Sequence, residues 1–136
     1  MRNMTQTSLR KLLEEASEKL EIYKDPDVHD AKEKLSEILK SAGMGDISYD
    51  HLVSLHLYED VLAINTEYSV RGCDDERYIE IPASIIDDED PVKAAKIWSI
   101  KRKINGLELA ISAAKKTIEY KNKELDETKK ELAALE

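Results

Sequence analysis

From Ile97 onward one seven-residue register runs unbroken for six heptads. The a positions are Ile97, Ile104, Ile111, Ile118, Leu125 and Leu132, all aliphatic. The d positions are Ile100, Leu107, Ala114, Lys121, Thr128 and Leu135. Gly106 is the one glycine in the segment, and no proline falls after Pro91. A strict seven-residue repeat drifts on a straight helix, so it predicts a left-handed coiled coil. Asp90-Pro91 is a suitable start, with a capping carboxylate followed by a residue whose missing N–H costs nothing at the first helical position. At about 1.5 Å per residue, a helix over 91–136 spans roughly 69 Å.

Such a helix needs an apolar partner along its length. A second copy of the chain is the simplest one, so a homo-oligomer, in the first instance a dimer, is predicted. The oligomerisation residues are Ile97, Ile100, Ile104, Leu107, Ile111, Ala114, Ile118, Leu125, Leu132 and Leu135. In a parallel pair, Lys103–Glu108 and Glu124–Lys129 attract while Lys96–Lys101 and Glu131–Glu136 repel, so edge charges do not select that orientation. The basic cluster Lys93, Lys96, Lys101, Arg102 and Lys103 sits at one end, and Glu124, Asp126, Glu127, Glu131 and Glu136 sit among lysines at the other. That polarity leans towards antiparallel overlap. Ile97 and Ile100 at a and d also permit higher oligomers.

Residues 1–90 have a different pattern and form the predicted head. Leu9, Leu12, Leu13, Ala16, Leu20 and Tyr23 recur at helical spacing and predict a helix over 8–24, capped by Thr7 or Ser8. Asp25-Pro26 starts a second helix over 26–42, with Val28, Ala31, Leu35, Ile38, Leu39 and Ala42 as its stripe. Gly43 stands where a left-handed C-cap is needed. The two helices, each about 25 Å long, pack as a hairpin and are too short to cover the whole C-terminal seam. The period then changes to two. Strands are predicted over 51–58, 61–71 and 77–82, with Val53, Leu55 and Leu57 on one face of the first. Glu59-Asp60 is a poor two-residue turn, which leaves a helix through 50–64 as the competing reading. Gly72 to Glu76 reads as a polar turn. Ala83 to Asp90 reads as a connector, with Ile85 and Ile86 tucked onto the sheet. The expected fold is α+β: a helical hairpin, a small antiparallel meander and a long C-terminal helix over 91–136.

Charge is divided unevenly. Residues 1–90 hold 10 Lys/Arg and 22 Asp/Glu, a formal −12, while residues 91–136 hold 11 and 7, a formal +4. An acidic head disfavours general nucleic-acid binding, which needs a clustered basic surface. It favours a basic protein partner, and the candidate partner-binding residues are the runs Asp74, Asp75, Glu76 and Asp87, Asp88, Glu89, Asp90. The competing reading of the second run is that it caps the long helix and favours its N-terminal dipole. No apolar run approaches the length of a membrane-spanning helix, so no membrane span is expected. The first residues carry no apolar secretory core, and a lone cysteine fits a reducing cytoplasm.

The sequence carries few chemical motifs. Neither a phosphate-binding loop nor a dinucleotide fingerprint is present. His29, His51 and His56 form no metal-ligand pattern, and the odd step from His51 to His56 predicts opposite faces of a strand. Cys73 precedes three acids, which discourage a thiolate. Neither acidic run has the alternate ligands and glycine of a calcium loop. Trp98 is expected to pack on the head. No catalytic residue, metal or cofactor is assigned.

In size and plan, the chain resembles small accessory proteins of bacteriophages and mobile elements, although no motif names a family. The expected function is that of a non-enzymatic interaction protein, self-associating through its C-terminal coiled coil and presenting an acidic head. The alternative is an inhibitor whose acidic surface imitates nucleic acid and blocks a host nucleic-acid-handling protein of the defence type.

Overall fold

A computed structural model describes residues 6–22 and 24–136. The elements are α1 (Gln6–Glu18), α2 (Pro26–Ser41), β1 (His51–Leu57), β2 (Val61–Val70), β3 (Cys73–Pro82), α3 (Ala83–Ile86) and α4 (Pro91–Leu135). The strands form one antiparallel sheet in the order β1-β2-β3, giving the expected α+β arrangement. Two compact units, Met1–Ser99 and Ile100–Glu136, divide the chain.

In the first unit, helix boundaries follow local chemistry. Asp25 caps α2, its carboxylate accepting the Asp27 N–H at 2.9 Å, and Pro26 opens the helix. The helix ends in a Schellman motif: Met44 N–H bonds Leu39 O at 2.9 Å and Gly43 N–H bonds Lys40 O at 3.1 Å. Gly43 has φ +74°, and a Cβ there would lie 3.2 Å from Ser99 Oγ, so both backbone hand and space favour glycine. α1 departs from its predicted bounds. It begins at Gln6 and ends at Glu18, followed by three-residue turns, Ile22 N–H to Lys19 O and Asp25 N–H to Ile22 O. The predicted caps Thr7 and Ser8 fall inside the helix, their side chains outside the description, and Tyr23 lies outside the described residues.

β1 carries a bulge between Leu52 and Ser54 that shifts its phase. Leu52, not Val53, therefore joins Leu55 on the inner face; Leu52 is 2% exposed and Val53 44%. The same extra residue brings His51, opposite Glu67, and His56, opposite Ala63, to one face, correcting the expected opposition. Glu59-Asp60 does form the β1–β2 turn, so no helix spans 50–64. Tyr58 N–H bonds Val61 O at 2.8 Å, and Asp60 O is held by the Ala83 N–H at 2.9 Å. The β2–β3 turn is tighter than predicted. Arg71 (φ 53°) and Gly72 (φ 80°) are both left-handed, the type I′ geometry that matches strand twist. β3 therefore begins at Cys73, ahead of the predicted start at 77, and the acids 74–76 lie in the ladder rather than in a turn.

The inner sheet face joins the helices in one core. Leu13, Leu35, Leu39, Leu62, Ile64 and Ile81 are essentially fully buried. Ile85 and Ile86 tuck beneath the sheet as expected, on the single-turn helix α3. The first turns of α4 also belong here: Ala95 is buried, and Ala94 and Trp98 pack against the core. That packing carries the first unit to Ser99, past the charge boundary at residue 90.

The second unit is the remainder of α4, a helix of 45 residues in all. At about 1.5 Å per residue the whole helix measures roughly 67 Å. It runs through Gly106 without interruption, and none of its residues from Ile100 onward is buried.

Ile64→Ala, at the sheet centre, should lower stability by about 2–5 kcal/mol. Val70 is 51% exposed on the same strand. Val70→Ala should cost under about 0.5 kcal/mol. Urea midpoints of the two variants check this; similar losses would contradict the assigned core.

Candidate functional site: an apolar helix seam and two acidic runs

The heptad residues emerge as one long stripe in water. Ile100 and Ile104 are each 50% exposed, Ile111 55%, Ile118 59% and Leu132 58%. Isolated exposed aliphatics are ordinary on protein surfaces, whereas a contiguous stripe at a and d spacing is the pattern of a coiled-coil seam. The long C-terminal helix is compatible with a coiled coil. Ile97, whose turn belongs to the first unit, is itself 43% exposed.

The two polar d residues have their polar atoms occupied within the helix. Thr128 Oγ1 donates to Glu124 O at 2.8 Å, so its methyl is left for an apolar contact. Lys121 Nζ reaches Glu124 Oε2 at 3.4 Å and stands 5.9 Å from the Tyr120 ring centroid. The lysine head is thereby drawn to a neighbour while its alkyl stem remains near the seam.

The acidic runs are divided by the fold. Strand alternation places Asp74 and Glu76 on the outer sheet face, opposite Ser69 and Glu67, and Asp75 on the other, opposite Tyr68. Asp74 accepts Ser69 Oγ at 2.6 Å, and Asp75 accepts Tyr68 OH at 3.2 Å. Glu67 and Glu76 face each other directly, a like-charged pair that favours neither strand. In the second run, Asp87 chelates the Arg10 guanidinium, with Nε to Oδ1 at 2.7 Å, and so ties α1 to the end of α3. Asp90 accepts the Lys93 N–H at 3.2 Å and caps α4, while Asp88 accepts the Asp90 N–H at 3.0 Å. Glu89 is exposed. β3 starts earlier than expected, at Cys73, and ends at Pro82 as expected. The six strand steps from Glu76 to Pro82 cover about 20 Å, at roughly 3.3 Å per step.

Polar groups missed by sequence reading organise the end of the core. Asp50 is 5% exposed. Its Oδ2 accepts Thr66 Oγ1 at 2.7 Å and lies 3.2 Å from Arg77 Nε. That ion pair holds by proximity, since the Nε–H is not aimed at the carboxylate and makes no hydrogen bond. Arg77 also lies over the Tyr68 ring at 4.8 Å, and its Nη1 would meet a Cβ at Gly45 at 2.8 Å. The signal for this cluster was the phase of Arg77, which alternation within the strand places on the same face as Ile79 and Ile81. Nearby, His29, Lys32, Asp50 and His51 line an open hollow of about 190 Å³. Two of its basic groups are engaged: His29 Nε2 is 3.1 Å from Glu33 Oε1, and Lys32 Nζ donates to Asp50 O at 3.4 Å.

Among the described residues, no group of three or more His, Cys, Asp or Glu is placed to hold a metal ion. No described helix is long and apolar enough to cross a membrane. No protein-family model, no curated protein and no solved structure matches this chain.

Asp46 makes the densest carboxylate contact. Its Oδ1 accepts Ser48 Oγ at 2.6 Å, Ser48 N–H at 2.9 Å and Ser36 Oγ at 3.0 Å; Lys40 Nζ is 3.3 Å from Oδ2. The Ser48 hydroxyl foremost, then the Ser48 N–H, hold this carboxyl well below the usual carboxylate range, with Ser36 and Lys40 adding to the effect. A depressed native pKa contributes stability that is present above the unfolded value, about 4, and lost as pH falls below it. The difference in urea midpoint between wild type and Asp46→Asn should therefore be full at about pH 6 and shrink steadily towards about pH 2. A difference independent of pH would contradict this account.

Proposed function

We propose that this chain is a non-enzymatic interaction protein of the cytoplasm, a homodimer joined through α4 that presents its acidic head to a basic protein surface. The observation that carries the reading is the exposed aliphatic stripe from Ile100 to Leu132, unbroken at every a position. Burying such a stripe against a like helix recovers roughly 25 cal/mol per Å² of apolar surface. A second copy supplies a matching stripe of equal length, and self-association is the least demanding way to cover it.

The head's part in this reading rests on charge. Glu67 and Glu76 are directly opposite, a like-charged pair that lowers strand pairing slightly and that a cation from a partner would relieve. A basic partner held by this face should be released as salt screens it. Asp74→Asn with Glu76→Gln should weaken it, and Asp87 and Asp90 should be left intact because they serve Arg10 and the α4 cap. The same outer-face carboxylates favour a second reading, an inhibitor of the phage accessory type standing in for a nucleic-acid backbone. Competition between duplex DNA and this protein for one partner would distinguish it.

Light scattering at micromolar concentration tests the main reading. A mass near twice 15.5 kDa is expected, and a monomer throughout would overturn it. Ile111→Lys should dissociate the assembly more than Thr128→Lys, since Thr128 is already polar and loses less buried surface.

A further inference from the structure

Given self-association through α4, on which this step rests, we infer that the two copies pair antiparallel, with residue i of one helix beside residue 232 − i of the other. The d layers decide the orientation. In a parallel, in-register pair, Ala114, Lys121 and Thr128 each meet their own copy. Three of the six d layers then hold a void, two like charges, or two small polar side chains. Reversing one helix about this register brings every a residue opposite a d residue. Ile118 then faces Ala114, Ile111 faces Lys121, and Ile104 faces Thr128. Leu107 faces Leu125, Ile100 faces Leu132, and Ile97 faces Leu135. Each weak position thereby receives an isoleucine, and no two weak positions meet.

Structural details support the match. Thr128 has its hydroxyl bonded to Glu124 O, so it offers a methyl to Ile104 of the second copy. Lys121 has its ammonium beside Glu124 Oε2, so it offers its stem to Ile111 of the second copy. A buried lysine beside an apolar chain with its head turned out is tolerated far better than two lysine heads sharing one layer. The helix is continuous through all of these positions, so the register holds from one end to the other. Charge does not decide the ends, where Lys101, Arg102 and Lys103 come beside Glu131, Lys130 and Lys129. On the flanks, Lys103 approaches Glu131, whereas Lys101 approaches Lys129 and Lys115 its own copy. These exposed pairs nearly cancel and are screened by salt, which leaves the core layers in control.

Spin labels on the full chain test the inference. In a Cys73→Ser background, which removes the exposed native thiol, single labels are placed at Lys116→Cys and, separately, at Lys130→Cys. Both are outward-facing f positions. The proposed register puts the two 116 labels level, roughly 15–20 Å apart across two packed helices. It puts the two 130 labels about 42 Å apart along the axis, from an offset of about 28 residues at about 1.5 Å each. Short distances at both sites would mean a parallel pair, and any other combination a shifted register. Either would overturn this inference while leaving self-association intact. Absence of dipolar coupling at both sites, with a monomer mass by light scattering, would overturn the proposed function along with it.

Discussion

A lone helix cannot bury an apolar stripe against itself. That constraint separates the two parts of this chain. In the first unit every amphipathic element finds cover within the chain, the sheet's inner face beneath the helices and the first turns of α4 through Ala94, Ala95 and Trp98. From Ile100 onward the same helix carries aliphatic residues at strict heptad spacing and buries none of them. Helical stability in water ordinarily comes from tertiary packing of an apolar face rather than from propensity. A helix of this length, carrying isoleucines that are only moderate helix formers, receives no such packing from the rest of the described chain beyond Ile100.

Much of the fold was legible because its signals are local. Asp25-Pro26 marks a helix start, and Gly43 its end, through chemistry confined to a few residues. The heptads of α4 need no tertiary information at all. What escaped was decided across the sheet. The bulge at Val53 arises from the pairing of β1 with β2, and it put Leu52 in place of Val53 on the core face. β3 was placed too late because Cys73 to Glu76 is too polar to read as a strand. Once Arg71 and Gly72 close a type I′ turn, hydrogen bonding to β2 carries those polar residues into the ladder regardless of propensity. α1 ended early because its apolar stripe, Leu20 included, continues into turns that bury the same face without helical pairing.

The candidate site was legible in its apolar half and obscured in its acidic half. Spacing alone locates a heptad seam, whereas the role of a carboxylate depends on what the fold brings beside it. Asp87 is spoken for by Arg10, 77 positions away in sequence, and Asp90 by the helix it starts. Asp74, Asp75 and Glu76 are consecutive, yet alternation sends the middle one to the opposite face. Asp50 and Arg77, unremarkable in sequence, meet at the end of the core and fasten β3 to the loop before β1. A run of like charge is thus a poor guide to a shared surface; the pleat and the caps redistribute it.

The weak layers of α4 carry a final consequence. A seam with isoleucine or leucine at every a and d position would bury more surface, but would pair almost equally well in either direction and in several oligomer numbers. Polar or small residues at a few core positions lower the stability of every arrangement, and they lower it most where two of them coincide. Ala114, Lys121 and Thr128 all lie on the d side and all in the latter part of the repeat, while every a position stays aliphatic. That one-sided placement matters. Weak residues shared between a and d would meet one another in the reversed pair as well as in the parallel one. Confined to d, they coincide only with their own copies, so their cost falls on the parallel arrangement and the reversed one escapes it. In the proposed antiparallel pair, the three residues that make the seam look imperfect in one helix are the ones that would give the pair its direction.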